Sequence, residues 1–406
     1  MKMKLPLEGI KVLDFSVWMF GSVGAAHLAD MGAEVIKVEN PKGGDPGRGL
    51  LSSGVVPLVE WNMYFGNNNR NKKSLAIDLY DDRGREVIYK LAEKTDVFTS
   101  NMQRAPLQRM KVDYPTLSRI NPKIIYAIAS GFGRYGPARD YPAHDTDGQS
   151  RAGIMTTLGE PGQPPVYTGS ATGDAVGALT LAWAIVTALF HRERTGVGQE
   201  VDTSLFGAQI MFEAGTLQPY LATRDPALTK QQSRKDAHNP LYNIYPAKDK
   251  WIFLAMVEEE RFWDNFCKGL GKPELAKDSR FDTHKKRCGE SRRALIDLLN
   301  GLLPTKTVSE WLEGWKELGL IAEPVNSFKE LYEDPQAINN EYIVQYAHPN
   351  FQKPKPMMGF PAQFSKTPGK IQAPEPMLGQ HTEEILIDIG YSWEDIGALK
   401  TDNVIL

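Results

Sequence analysis

Residues 10–39 read IKVLDFSVWMFGSVGAAHLADMGAEVIKVE, and the order of patterns within them decides the fold. IKVLDF is a short continuous apolar run, the mark of a strand covered on both faces. The stretch that follows is rich in small residues at helical spacing and closes at Gly32. AEVIKVE is then a second buried strand. Strand, helix and strand in so short a span form a βαβ unit, whose crossover makes the two strands parallel. The turn into the helix holds Gly21 and Gly24 but no G-x-G-x-x-G, which disfavours a nicotinamide or flavin enzyme.

The pattern continues outward from this unit. NPKGGDPGRG (40–49) is a Gly- and Pro-rich loop carrying Asp45 and Arg48 at the carboxyl end of a strand, where open α/β sheets hold ligands. NNNRNKKSLAIDL (67–79) gathers Arg70, Lys72 and Lys73 ahead of a third strand. That cluster suits either a phosphate group or a solvated run of charge. A helix over 81–95 leads to the strand DVFTSN and to the loop NMQRAPLQRM, with Asn101, Met102 and Arg109. The strand KIIYAIASGFG ends in a long polar loop, 133–148, which contains His144 and Asp145. Loops of that length inside a domain usually have work to do.

GSATGDAVGALTLAWAIVTALFHRERT (169–195) turns from a glycine-rich loop into a long apolar helix. The run from Ala175 to Phe190 predicts a core helix buried on most sides, too short between its polar flanks to be read as a membrane span. Asp174 is then its N-cap, and a helix N-terminus favours an ionised carboxylate. Plain capping accounts for such a residue, and so does a role as nucleophile or base. A strand, GQEVDTSLF, and one amphipathic helix over 207–224 follow.

With 406 residues, 41% hydrophobic and 24% charged, the chain has room for two cores. A formal charge of -3 provides no basic field for nucleic acid. Cys267 and Cys288 are too few for a disulfide framework and wrongly spaced for zinc, so no metal site is expected. The N-terminus lacks a signal-peptide pattern, and the expected location is cytoplasmic, without a membrane partner. A polar run near 222–240 marks a boundary. The expected organisation is an α/β large domain at 1–221 with an open parallel sheet, a small α+β domain at 222–325, and a return segment at 326–406. In the small domain, NIYPAKDKWIFLAM reads as a hairpin. The Pro-rich passages of the last segment are extended, either wrapping a second subunit or returning to the first domain.

ADMGAEVIKVENPKGGDPGRG, NRNKKSLAIDL, SGFGRYGP, TGSATGDAVGALTLAWAIVTALFHRERTGVGQEVD and LGQHTEEIL, in this order, resemble the family III CoA-transferases, the group of formyl-CoA transferase and the carnitine and bile-acid enzymes. The resemblance covers nearly the whole chain. It implies transfer of CoA from an acyl-CoA donor to a carboxylic acid acceptor, with Asp174 as the nucleophile and CoA thioester as substrate rather than a permanently bound cofactor. It implies that Asn101, Met102 and Arg109 hold CoA, that Arg70, Lys72 and Lys73 face its phosphates, and that Val17, Trp18, Met19 and Phe20 line the pantetheine and acyl region. Those four are bulkier than in formyl-CoA transferase, which favours a larger or more apolar acyl group. It further implies an interlocked homodimer. The α-methylacyl-CoA racemases share the fold, and His144 stands where their histidine does, so an acid/base pair of His144 and Asp174 is the alternative reaction. A CoA-binding subunit without turnover of its own is a third reading.

Overall fold

A computed structural model describes residues 4–50 and 61–406. Residues 1–3 and 51–60, within the first expected domain, lie outside the described residues. The chain divides into two units, one of residues 1–154, 167–223 and 335–406, the other of 155–166 and 224–334.

The first unit is built on six strands: β1 (Lys11–Asp14), β2 (Glu34–Glu39), β3 (Lys72–Ala76), β4 (Val97–Ser100), β5 (Ile125–Ser130) and β6 (Gln199–Ser204). They are all parallel, in the order β3-β2-β1-β4-β5-β6. Alternate residues face opposite sides, so each strand feeds two cores. Val12, Val35, Val97 and Ile125 pack with Leu28 of α1 (Phe20–Asp30) and with Leu181 and Ile185 of α7 (Thr172–Thr195). Leu13, Ile36, Leu75, Phe98 and Tyr126 pack on the other side with Val87, Ile88 and Leu91 of α3 (Asp82–Ala92). Between these lie α2 (Met63–Asn69), α4 (Arg104–Arg109), α5 (Tyr114–Ile120) and α6 (Asp145–Ala152).

The last segment joins the first unit. Its helices α15 (Thr382–Asp388) and α16 (Trp393–Thr401) give Leu386 and Leu399 to the second core. Its backbone and side chains close the free edge of β3: Ser74 N donates to His381 Nδ1 at 3.1 Å and Ala76 N to Thr382 Oγ1 at 3.1 Å. An open strand edge is thereby covered.

Two expectations about helices are corrected. The single helix over 207–224 is two, α8 (Leu205–Phe212) and α9 (Ala214–Thr223), with Pro219 inside the second. And α7 is buried along one face only: Leu179, Trp183, Val186 and Phe190 are exposed, Trp183 by 69%. Hydropathy registers how apolar a helix is, whereas the sheet covers just one side of it.

The second unit has an antiparallel sheet of β7 (Tyr242–Pro246), β8 (Trp251–Ala255) and β9 (Ala322–Pro324), the first two forming the hairpin read from the sequence. Helices α10 (Glu259–Gly269), α11 (Arg292–Leu302), α12 (Val308–Lys316) and α13 (Phe328–Tyr332) accompany it, and Trp263, Trp311 and Trp315 fill its core. The short α14 (Pro335–Asn339) opens the return to the first unit, followed by the hairpin of β10 (Ile343–Tyr346) and β11 (Lys355–Met358).

Candidate active site

The strand order reverses between β1 and β4, and at such a switch point the loops leave in opposite directions and open a crevice. Here the loops clasp each other. Val17 N donates to Asn101 Oδ1 at 2.8 Å, and Asn101 Nδ2 donates to Val17 O at 2.7 Å. Trp18 is held with φ at 60°, in the left-handed region that a bulky residue rarely adopts, its N–H directed to Asp45 Oδ1 at 3.2 Å. Asp45 is itself buried, with Lys37 Nζ 2.8 Å away. The GGD loop therefore shapes the wall of the crevice from behind, and Arg48 does likewise by closing on Glu39 at 2.7 Å.

The crevice is a cavity of about 430 Å³ that brings together Val17, Trp18, Phe20, Asn101, Met102, His144 and Asp174. Met19 caps α1 and is not part of the lining. Phe20 is fixed by Gly177, where an added Cβ would stand 2.7 Å from its ring. So a glycine one turn beyond Asp174 lets the aromatic wall lie flat against α7.

Asp174 is not the N-cap. It is the third residue of α7, and the capping carboxylate comes from Asp145 at the start of α6. Asp145 Oδ1 accepts from Gly173 N at 2.6 Å and Asp174 N at 3.1 Å, while Oδ2 accepts from Gln149 Nε2 at 2.6 Å. Gly173 is required for this, because a Cβ there would lie 2.9 Å from Asp145 Oδ1. The helix N-terminus thus stabilises the neighbour. Asp174's own carboxylate has no hydrogen-bond partner among the described residues. Burial, and then the charge of Asp145, pushes it up to about 7, against the expectation of a readily ionised cap. Tyr64, also on the cavity wall, is raised by burial and by Asp174 and Asp45. Of the residues unassigned in the sequence reading, Asp145 carried a signal, its place beside His144. Tyr64 and Gln149 carried none.

His144 precedes α6 and is 81% exposed, its N–H bonded to Asp147 Oδ2 at 2.8 Å. The phosphate-facing cluster is corrected for two of its three members. Arg70 is buried and paired with Asp30 at 2.6 Å, and Lys72 is buried with Asp14 at 2.7 Å, Ser22 O at 2.9 Å and Asn69 Oδ1 at 2.9 Å. Burial pulls the Lys72 ammonium down to about 8, against the upward pull of Asp14. Lys73 is partly exposed and bonded to Glu384 at 2.7 Å. Arg109 is exposed with no partner among the described residues, and its neighbour Met110 lines a second cavity of about 210 Å³ with Ile77, Leu79, Tyr80 and Met102. Glu259, His284 and Cys288 are grouped closely enough for a metal ion, but the buried Arg287 already neutralises Glu259 at 2.6 Å.

The sequence model of CoA-transferase family III matches residues 7–382. The chain is 31% identical to mouse succinyl-CoA:glutarate CoA-transferase, over 95% of this chain and 86% of that one. It is likewise 31% identical to the succinyl-CoA–D-citramalate CoA-transferase of Chloroflexus aurantiacus, over 98% of both. Among solved structures, a CAIB/BAIF family protein from Brucella suis superposes with a TM-score of 0.81 at 30% identity, over 95% of this chain and all of that one. A family match along nearly the whole chain, and relatives of full length that are CoA-transferases, establish that this chain belongs to CoA-transferase family III and is a CoA-transferase.

Proposed function

We propose that the protein moves CoA from an acyl-CoA thioester to a carboxylic acid through covalent intermediates on Asp174. The observation that carries this is the carboxylate without hydrogen-bond partners in the cavity, beside a second carboxylate that takes the helix N–H groups. A carboxylate deprived of those donors keeps its electron density and is the better nucleophile. Asp174 attacks the thioester carbon, and the C–S bond breaks to release the CoA thiolate and leave a mixed anhydride. The thiolate then attacks Asp174 Cγ, expelling the donor acid, which carries away one Asp174 oxygen, and forming an aspartyl-CoA thioester. The acceptor carboxylate attacks that thioester, releasing the thiolate. The thiolate attacks the acceptor's acyl carbon, restoring Asp174 with an oxygen from the acceptor. Val17, Trp18 and Phe20 exclude water from the anhydride.

The adenosine is assigned to the second cavity, between Ile77, Leu79, Tyr80 and Met110, and its phosphates to the exposed Arg109 and Lys42, whose side chains have no partner among the described residues. The protein works as a homodimer, an exposed apolar stripe on α7 being the surface that a second copy covers. It acts in the cytoplasm, where its free Cys267 and Cys288 stay reduced.

The test is a turnover with an acceptor acid carrying heavy oxygen in its carboxylate. The label is expected on the Asp174 peptide and, after further turnovers, in the released donor acid; transfer without label on Asp174 would exclude the covalent route. His144 on the same cavity wall supports the racemase reading. Running the assay in deuterated water distinguishes it, since α-deuteration of a 2-methylacyl-CoA without CoA exchange is the racemase outcome.

A further inference from the structure

We propose that Arg139 makes this enzyme selective for dicarboxylic acids, by binding the carboxylate at the far end of an acyl chain whose near end reacts at Asp174. The proposal rests on the transferase reading and adds the substrate class. Among the described residues, two arginines and no lysine line the cavity. Arg104 is committed: its two terminal nitrogens hold Glu200 at 3.2 Å and Asp202 at 2.9 Å, part-buried. Arg139 uses only Nε, in a 3.0 Å bond to its chain neighbour Asp140 at the surface. Its terminal nitrogens have no partner among the described residues, so a residue of the cavity wall keeps its paired donors available.

The rest of the lining agrees with that assignment. Val17, Phe20, Ile128 and Leu205 are apolar and suit methylene groups. Asp145 and Asp174 are both acidic and repel a second carboxylate from the reacting end. An acid with an apolar middle and a charged far end thus meets methylene-compatible walls, a repulsive acidic end and one uncommitted cation. A purely aliphatic acid of the same length would leave the terminal nitrogens of Arg139 unused.

The experiment measures binding on Asp174→Ala protein, which cannot turn over, with glutaryl-CoA, pentanoyl-CoA and free CoA by titration calorimetry. The two esters differ only in a terminal carboxylate against a methyl group. Because Arg139 is largely exposed, a preference of about tenfold for glutaryl-CoA is expected, at the lower end for a charge-assisted bidentate pair. Adding Arg139→Gln should abolish that preference and leave pentanoyl-CoA and free CoA unchanged, and Arg139→Lys should keep part of it. Equal binding of the two esters before Arg139 is altered would overturn the proposal. So would weakening of all three ligands alike by Arg139→Gln, which would assign the residue to the CoA phosphates. If wild-type protein transferred CoA to no acid while the glutaryl preference held, the transferase mechanism would fail and the role of Arg139 in recognition would stand.

Discussion

Asp145 and Asp174 share one helix end, and what each receives from it differs. Asp145 collects two backbone N–H groups and the Gln149 amide, so its charge is well supported. Asp174 receives none of these and sits near 7. Acting as the proposed nucleophile, Asp174 must be deprotonated, so kcat/KM should rise with pH and level off above about 7. Replacing Asp145 by Asn removes the neighbouring charge, which is the second cause of the shift after burial. The rising limb should therefore move to lower pH while remaining above the ordinary carboxylate range. A pH–rate profile of wild type and Asp145→Asn decides it, and an unmoved limb would show that Asp145 exerts no electrostatic hold on the reacting group.

At the scale of elements, β1 and β3 are tied across β2 by a fully buried ion pair, Asp14 at the carboxyl end of β1 with Lys72 at the start of β3. Changing Lys72 to Met should lower stability by about 3–5 kcal/mol, because Asp14 is left charged and unpaired. CoA binding by the molecules that remain folded should stay as it was. Urea unfolding and a CoA titration on the same variant test both halves; normal stability with weakened CoA binding would return Lys72 to the phosphates. The pairing also shows what the sequence could and could not convey. The βαβ pattern of residues 10–39, the third strand and the 243–256 hairpin were legible because the period of apolar residues is local. Asp174 stood out through its place at a glycine-rich loop before an apolar helix. The partners of Arg70 and Lys72, Asp30 and Asp14, lie far away in sequence, so a charge cluster on paper became two internal salt bridges. For the same reason Asp145, distant in sequence from Gly173, could not be seen as the cap of α7.

At the scale of the whole molecule, α7 joins the chemistry to the surface. Its first turn carries Asp174, and its outer face carries Leu179, Trp183, Val186 and Phe190, spaced four, three and four apart, the interval at which helical side chains form one continuous stripe. α8 adds Ile210, Met211 and Phe212, also exposed. Single exposed apolar residues are ordinary, whereas a run of this size along one helix is the surface that the proposed homodimer would cover. If the cover is a second copy, sedimentation equilibrium should give twice the chain mass of 45.3 kDa. Trp183→Glu would place a charge in the middle of the buried stripe and should shift the population to monomer. Because α7 runs from that stripe to the proposed nucleophile, the monomer should also lose activity, while a Trp183→Phe variant keeps both assembly and turnover. A wild-type monomer with full activity would refute the arrangement. A Trp183→Glu monomer that still transfers CoA would show that each active site is complete within one chain.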